Sequence, residues 1–312
     1  MTAQFTGVIP PIVTPLTAGG DIDAGSLRRV IDHVMTDGAQ GVFVLGSTGE
    51  GTSFTAAQRS QVITTAADHL AGRGVLLAGV LAPSTAQTAE LIPDAVAAGA
   101  DAVVAAAPFY LATHPAEINR HFRRLAEIAG STPLVGYDIP ARVHSKLPAE
   151  VVIGLAADGV IAAIKDSSGS LPGLRRLVIE RERRGVTGFS ILTGAEPTAD
   201  LAIAVGVDGI IPGLGNLSVA PFVTVLQSAR CGDLKAAAAA QEQILGLMPV
   251  FDVGDRNRIS DSSATTGGIK TALWLMGVIG SAAVAEPLSR LDESETARIR
   301  RLLAGAGLLS PR

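Results

Sequence analysis

Residues 41–80 read GVFVLGSTGEGTSFTAAQRSQVITTAADHLAGRGVLLAGV and contain one complete strand–helix–strand unit. The runs GVFVLG (41–46) and VLLAGV (75–80) are continuously apolar, which is typical of parallel strands buried on both faces. Between them, Thr55-Ala-Ala-Gln58 predicts a capping box at the start of a helix. The segment therefore predicts a strand, a helix and a second parallel strand.

The same unit recurs along the chain. Six further runs have this character: GVIPPIV (7–13), DAVVAAA (101–107), PLVGY (133–137), GVIAAIK (159–165), GFSILTG (188–194) and GVDGIIPG (206–213). Helix starts are predicted at Ser84, Pro115 and Pro148, and helix ends at Gly38, Gly99 and Gly130. Eight units within about 230 residues predict a TIM (β/α)8 barrel. A doubly wound open sheet is the alternative, but TPLTAGGDID (14–23) after the first run has no G-x-G-x-x-G.

The strand pattern stops near residue 225, and three helical patterns follow at 233–250, 265–280 and 292–305. Asp292-Glu-Ser-Glu295 is a further helix-start signal. We therefore expect a barrel domain over residues 1–225. Residues 226–312 are expected to form a C-terminal helical extension packed on the barrel.

The amino-acid composition argues against several classes of protein. The 312 residues are 47% apolar and carry a formal net charge of −4, which argues against a nucleic-acid binder because such proteins need a basic face. Mean hydropathy is +0.38, yet no stretch has the uninterrupted apolar length of a membrane span. The N-terminal residues lack the features of a signal peptide, so we expect a cytoplasmic enzyme. The single cysteine, Cys231, and the absence of paired histidine motifs argue against a disulfide framework or a metal site.

The active site of a TIM barrel lies at the carboxyl ends of its strands, so the residues that follow each apolar run are the candidates. These segments are 47–50, 108–110, 137–142, 165–169, 193–196 and 212–216. They contain both tyrosines of the chain, Tyr110 and Tyr137, and one of its four lysines, Lys165. The other three lysines, Lys146, Lys235 and Lys270, receive no role from their positions.

Lys165 ends the apolar run VIAAI, and burial there lowers the pKa of a lysine and favours the nucleophilic amine. A neutral amine attacks a ketone and forms a Schiff base. Tyr137 ends the neighbouring run and could shuttle a proton to the adduct. Position alone also allows explanations without catalysis. Lys165 could extend its amine to solvent or pair with Asp166, and Tyr137 could be a core tyrosine whose hydroxyl is hydrogen-bonded.

The turns after the second and eighth runs are suited to anions. Ser47 and Thr48 offer hydroxyls and backbone N–H groups to a carboxylate, although ordinary turn chemistry also explains them. The segment PGLGN (212–216) occupies the place where many barrels bind phosphate, but as a lone motif it is weak.

Taken together, G-S-T-G-E (46–50), Y-D-I-P (137–140) and I-K-D-S-S-G (164–169) resemble the dihydrodipicolinate synthase / N-acetylneuraminate lyase family of class I aldolases. The resemblance spans the chain from the early P-P-I-V-T-P-L to the helical tail. It implies a TIM barrel with a C-terminal helical bundle, a homotetramer built from dimers, and no metal or external cofactor, because the imine nitrogen is the electron sink.

The resemblance also implies roles for single residues. Lys165 is the Schiff-base lysine for pyruvate or another 2-oxo acid, and Tyr137 shuttles protons. Ser47 joins the tyrosines in a relay, to which a neighbouring subunit lends Tyr110. The expected substrate-binding residues are Thr48, Gly49, Arg142, Gly194 and Gly213.

Several features separate branches of the family. Arg142 fits the synthases, where it binds the carboxylate of an incoming semialdehyde, but Val143-His144 after it departs from their pattern. One acid, Glu196, stands after the seventh run where sialic acid lyases have two, so sialic acid is not expected. Ala56 and Arg59 replace histidines of lysine-inhibited synthases, so we do not expect feedback by lysine.

Three functions remain open from the sequence. The first is a synthase that joins pyruvate to aspartate semialdehyde. The second is a 2-oxo-3-deoxy sugar-acid aldolase or dehydratase that uses the same Lys165. The third is a catalytically silent barrel that binds a small acid. Small molecules are the expected partners, with neither nucleic acid nor membrane.

Overall fold

The computed structural model describes residues 5–309, and its framework is a ring of eight parallel strands. The strands are β1 (Gly7–Val8), β2 (Gly41–Val44), β3 (Val75–Gly79), β4 (Ala102–Ala106), β5 (Leu134–Asp138), β6 (Ala163–Asp166), β7 (Ser190–Thr193) and β8 (Gly209–Ile210). Their spatial order is β1-β8-β7-β6-β5-β4-β3-β2. The ring closes where Ile12 N–H donates to the carbonyl of Phe43, 3.0 Å away. The predicted TIM barrel is therefore confirmed.

Helices surround the ring and extend beyond it. Those of the barrel are α1 (Ala24–Thr36), α2 (Ala56–Leu70), α3 (Thr85–Ala97), α4 (Pro115–Ala129), α5 (Pro140–Val143), α6 (Ala149–Ala157), α7 (Leu171–Arg183), α8 (Ala199–Ala204) and α9 (Ala220–Arg230). The C-terminal extension holds α10 (Leu234–Leu247), α11 (Asp261–Leu275) and α12 (Glu293–Gly305). Among the described residues, none of the helices has the length and apolar character needed to cross a membrane.

Local sequence signals account for many of the helix bounds. The capping boxes of Thr55 with Gln58 and of Asp292 with Glu295 are both formed. At Ser84 one half of the box is present: its hydroxyl accepts the N–H of Gln87. Gly38, Gly99 and Gly130, which follow helix ends, all have the positive φ that favours glycine.

The strands are shorter than the apolar runs that predict them, most clearly at the N-terminus. Only Gly7 and Val8 of the run 7–13 form β1. Pro10 and Pro11 follow, and their lack of an N–H prevents the ladder from continuing. The chain still runs along the barrel there, because Phe43 N–H donates to the carbonyl of Pro10.

The extension packs on the barrel along one side. Helix α10 lies against α9 and α8, and α11 approaches the turn at Gly213–Asn216 that follows β8. The proposed domain division at residue 225 falls inside α9 and stays a prediction.

The buried side-chain amide of Asn216 connects the segments that follow the first and the last strand of the barrel. Its Oδ1 accepts the N–H of Val13 at 3.0 Å, and its Nδ2 donates to the carbonyls of Pro11 at 2.9 Å and Gly213 at 2.8 Å. The side chain is fully buried, so these groups have no access to water as a substitute. Asn216 thus joins the segment after β1 to the turn after β8.

We predict that Asn216→Ala lowers the free energy of unfolding by about 3 kcal/mol, because it leaves a buried N–H and a buried carbonyl unpaired. Asn257→Ala is the matched control, since Asn257 is exposed and should change stability by less than about 0.5 kcal/mol. Urea denaturation of both variants measures the difference. Equal stabilities of the two variants would contradict a role of Asn216 in joining the segment after β1 to the turn after β8.

Candidate active site

Lys165 and Tyr137 lie side by side at the carboxyl end of the barrel. Strands β5 and β6 pair so that Tyr137 stands opposite Lys165 in the parallel register. The Lys165 Nζ lies 4.4 Å from the centroid of the Tyr137 ring and 5.1 Å from that of Phe43. Both side chains are almost completely buried, Lys165 at 4% exposure and Tyr137 at 3%. The barrel therefore holds an amine and a phenol together in a nearly dry site.

The surroundings of Tyr137 change its acidity. Burial alone raises the pKa of a phenol. The positive charge of Lys165, with side-chain hydrogen bonds from Ser47, Ser167 and Lys165, outweighs burial and sets the pKa of Tyr137 below its ordinary value. A phenol with a lowered pKa gives up its proton more readily near neutral pH, which suits proton transfer.

The turn after β2 presents the other predicted hydroxyls. Ser47 is exposed and Thr48 is half-buried, while Gly49 is buried and its carbonyl accepts the Thr14 hydroxyl at 2.7 Å. The turn is closed by Gly51 N–H, which donates to the carbonyl of Gly46 at 3.1 Å. Ser47 is thus part of this turn and is also one of the residues that lower the pKa of Tyr137.

Two glycines leave room for these side chains. A Cβ at Gly194 would lie 2.2 Å from the Ser167 hydroxyl and 3.1 Å from Cε of Lys165. A Cβ at Gly213 would lie 3.1 Å from a carboxyl oxygen of Glu196. The structure therefore places both predicted glycines against the candidate site, and side chains there would crowd it.

Glu196 is a buried carboxyl that the sequence analysis used only to argue against sialic acid. Its Oε1 accepts the N–H of Leu214 at 3.1 Å, and its Oε2 has no hydrogen-bond partner among the described residues. Burial raises the pKa of Glu196 to about 7, against the opposing effects of backbone hydrogen bonds and the Lys165 charge. The group thus holds a proton over a pH range in which ordinary glutamates are ionised.

Lys146, which received no role from its position, bridges the ends of β5 and β6. Its Nζ pairs with the buried carboxylates of Asp138 and of Asp166, the latter at 3.1 Å. These acids directly follow Tyr137 and Lys165 in the chain and also stand opposite each other in the register. Lys146 thereby places one positive charge between two buried carboxylates beside the candidate site. Asp166 pairs with Lys146, and the described residues contain no ion pair of Lys165.

A cavity of about 330 Å³ opens beside the turn after β2. Its lining residues come from the barrel loops and from the extension: Ser47, Glu50, Thr52, Ser53, Leu81, Ala106, Phe109, Ile139, Arg142, Val143, Ser262, Thr266, Pro287 and Leu288. Arg142 is exposed, and its guanidinium donates to the hydroxyl of Ser262 on α11. Arg142 is the one arginine or lysine in this lining, so the cavity suits a small molecule with an acidic end.

Tyr110 is the predicted site residue that the single chain does not bring to the others. Its side chain is 86% exposed in the loop between β4 and α4. The part played by a neighbouring subunit stays a prediction. Among residues 5–309 there is also no group of three or more His, Cys, Asp or Glu side chains that could hold a metal ion.

An amine buried against aromatic rings at the mouth of a TIM barrel, with a phenol beside it, is the arrangement of a class I aldolase-type lyase. The fold and the site define the protein as an enzyme of this class. The dihydrodipicolinate synthetase family model matches residues 4–306. The chain belongs to the dihydrodipicolinate synthetase family.

Individual relatives agree with this assignment. A DapA-like lyase of Halobacterium salinarum is 31% identical, covering 97% of this chain and 94% of that protein. A 4-hydroxy-tetrahydrodipicolinate synthase of Anaeromyxobacter dehalogenans is 30% identical over 98% of each chain. Among solved structures, YagE, a prophage protein of the dihydrodipicolinic acid synthase family from E. coli K12 in complex with pyruvate, has a TM-score of 0.89. It is 30% identical over 98% of this chain and 100% of its own.

We predict that Glu196→Gln flattens the pH dependence of stability. The folded state keeps the Glu196 proton up to a pKa of about 7, whereas the unfolded state loses it near 4.5. The wild type therefore loses stability as pH rises through this window, by an amount on the order of 3 kcal/mol. The glutamine variant lacks this loss.

Urea denaturation of both proteins between pH 5 and pH 8 measures the effect. Glu242→Gln is the control, because Glu242 is exposed on α10 and its replacement should leave the slope unchanged. Parallel stability curves for the wild type and Glu196→Gln would contradict a buried, protonated Glu196.

Proposed function

We propose that Lys165 forms an imine with pyruvate or another 2-oxo acid and that the enzyme joins this adduct to an aldehyde or releases it by the reverse reaction. The best single assignment is 4-hydroxy-tetrahydrodipicolinate synthase, which uses pyruvate and aspartate semialdehyde. The observation that carries the proposal is the Lys165 amine, buried at the barrel mouth beside Tyr137. The pyruvate complex of YagE and the synthase names of the relatives support it.

The residues divide the chemistry among them. The Lys165 amine adds to the ketone carbon, and Tyr137 protonates the resulting oxygen so that water leaves and the protonated imine forms. The nitrogen of the protonated imine then accepts the electron pair when a proton leaves the adjacent carbon, which gives the neutral enamine nucleophile. The enamine carbon attacks the aldehyde carbon while the aldehyde oxygen takes up a proton. Water then adds to the regenerated protonated imine, which releases the product and the free amine.

The carboxylate of the 2-oxo acid binds at the turn after β2. Ser47 and Thr48 supply hydroxyl donors there, and Gly49 allows the close backbone turn. Because Ser47 also contributes to the lowered pKa of Tyr137, carboxylate binding and proton transfer share one residue. Neither metal nor external cofactor takes part in this scheme.

Tyr110 completes the proton relay from a second copy of the chain. With 86% of its surface exposed, Tyr110 is available to a neighbouring subunit. We propose a homotetramer built from such dimers, acting in the cytoplasm.

Arg142 selects the aldehyde. Its guanidinium lines the cavity that Ser47 also reaches, and Ser262 holds it from α11. A guanidinium grips a carboxylate through two parallel hydrogen bonds, so an aldehyde with an acidic end is favoured.

A second candidate, a 2-oxo-3-deoxy sugar-acid aldolase or dehydratase, is favoured by the polar groups around the same site. The cavity lining includes the hydroxyls of Thr52, Ser53, Ser262 and Thr266. Glu196 adds a carboxyl with a free Oε2 among the described residues. Such groups suit a substrate with several hydroxyls.

We predict that incubation with pyruvate followed by borohydride reduction places one covalent adduct on Lys165, because its amine is the buried nucleophile at the barrel mouth. Peptide mass spectrometry maps the position. Lys165→Ala should abolish the adduct, and Lys235→Ala on the exposed face of α10 should leave it unchanged. An unmodified Lys165, or an adduct on Lys146, would overturn the mechanism.

We predict that Arg142→Ala leaves imine formation nearly intact but lowers kcat/KM for an acidic aldehyde by an amount equivalent to roughly 1.5–3 kcal/mol. The loss reflects one charge-assisted contact to the aldehyde carboxylate. A neutral aldehyde of similar size is the matched substrate and should be affected much less. Equal losses for the two aldehydes would show that Arg142 merely supports its loop.

A further inference from the structure

A fully buried ion pair connects the turn after β2 to the C-terminal extension. Lys270 on α11 has no exposed surface, and its Nζ pairs with Oε2 of Glu50. The same Nζ donates to the carbonyl of Ala283 at 2.9 Å. Glu50 Oε1 accepts the N–H of Ala285 at 2.6 Å. The carboxylate of Glu50 is therefore held by two groups of the extension, the Lys270 ammonium and the N–H of Ala285.

Glu50 is the residue that ends the turn carrying Ser47 and Thr48. Its backbone has φ of 54°, a left-handed conformation that is uncommon for glutamate. Its N–H donates to the carbonyl of Ser47 at 3.2 Å. Such a conformation persists only where the surroundings determine it, and here the side chain is anchored from the extension. The anchor therefore fixes the backbone that aims the two hydroxyls.

A buried ion pair is energetically less favourable in a protein core than well-packed apolar side chains. Burying two charges costs solvation that their attraction often fails to return, and apolar replacements of such pairs are frequently as stable. Burial lowers the pKa of Lys270, although Glu50 opposes the shift. Packing alone thus gives no reason for charged groups at this place, whereas a need to hold one turn conformation does.

The surroundings of the pair lead to the same site. Glu50 and Thr266 both line the cavity that contains Ser47 and Arg142. Thr266 precedes Lys270 by one helical turn of α11, so one stretch of this helix forms cavity wall and counter-ion together.

We propose that Lys270 and Glu50 are positioning residues that hold the Ser47–Thr48 turn in the conformation that binds the 2-oxo acid. The C-terminal extension is then a working part of the active site. The inference rests on the proposed function, in which this turn binds the carboxylate. It adds that the affinity for this carboxylate depends on a side chain from α11.

The test uses Glu50→Gln, Lys270→Met and the double variant in the full-length protein. Each single variant leaves one buried charge unpaired, so the turn shifts and KM for pyruvate rises by about 10-fold or more. The double variant removes both charges, while the amide oxygen introduced by Glu50→Gln can still accept the N–H of Ala285. The KM of the double variant for pyruvate should lie between that of the wild type and those of the single variants, at least about 3-fold above the wild type.

Glu295→Gln is the matched control. Glu295 is also buried and paired with an arginine, Arg258, but its other partners are the N–H groups of Asp255 and Asp292 in the extension. This variant should lower the melting temperature like the others and leave KM for pyruvate unchanged. If Glu50 and Lys270 had a merely structural role, their variants would likewise lower the melting temperature and leave KM for pyruvate unchanged.

The pyruvate dependence of borohydride trapping separates the inference from the proposed function. If the wild type forms no adduct, the proposed function fails. If the wild type forms it and the folded variants need the same pyruvate concentration, the inference is overturned. Should the single variants fail to fold, the double variant decides: a KM raised as stated supports the inference, and a wild-type KM overturns it.

Discussion

The parallel register between β5 and β6 is the constraint on which the active site depends. It sets Tyr137 opposite Lys165, and one residue further it sets Asp138 opposite Asp166. The first pair faces the aromatic, nearly dry site, and the second pair is bridged by the ammonium of Lys146. A shift of one residue would set Tyr137 opposite Asp166 or Ile164 and break both pairs, because successive strand residues point to opposite faces. The Lys146 bridge therefore favours the same register that brings amine and phenol together.

Buried ionisable groups recur around this site in three forms. Lys146 bridges two carboxylates, Lys270 and Glu50 form an ion pair, and Glu196 remains protonated up to a pKa of about 7. Each costs solvation, yet each fixes a group near the candidate nucleophile. The extension contributes twice, through the hydroxyl that holds Arg142 and through Lys270. Barrel and extension thus both contribute groups to the candidate active site.

The sequence predicted the barrel and Lys165 because both leave local signals. Continuous apolar runs mark buried parallel strands, and a rare lysine or tyrosine at the end of such a run is conspicuous. Lys146, Lys270 and Glu196 leave no such signal. Their significance depends on partners brought close only by folding, such as Glu50 for Lys270. The proposed place of Tyr110 in a relay depends on a second chain, which one folded copy does not contain.

A crystal structure of the enzyme after soaking with pyruvate is the most direct test of imine formation at Lys165. We expect continuous electron density from the Lys165 Nζ to the ketone carbon, with the carboxylate on the Ser47–Thr48 turn and the Tyr137 hydroxyl within hydrogen-bonding distance of the adduct. Pyruvate bound without a covalent link, or linked to Lys146, would contradict it.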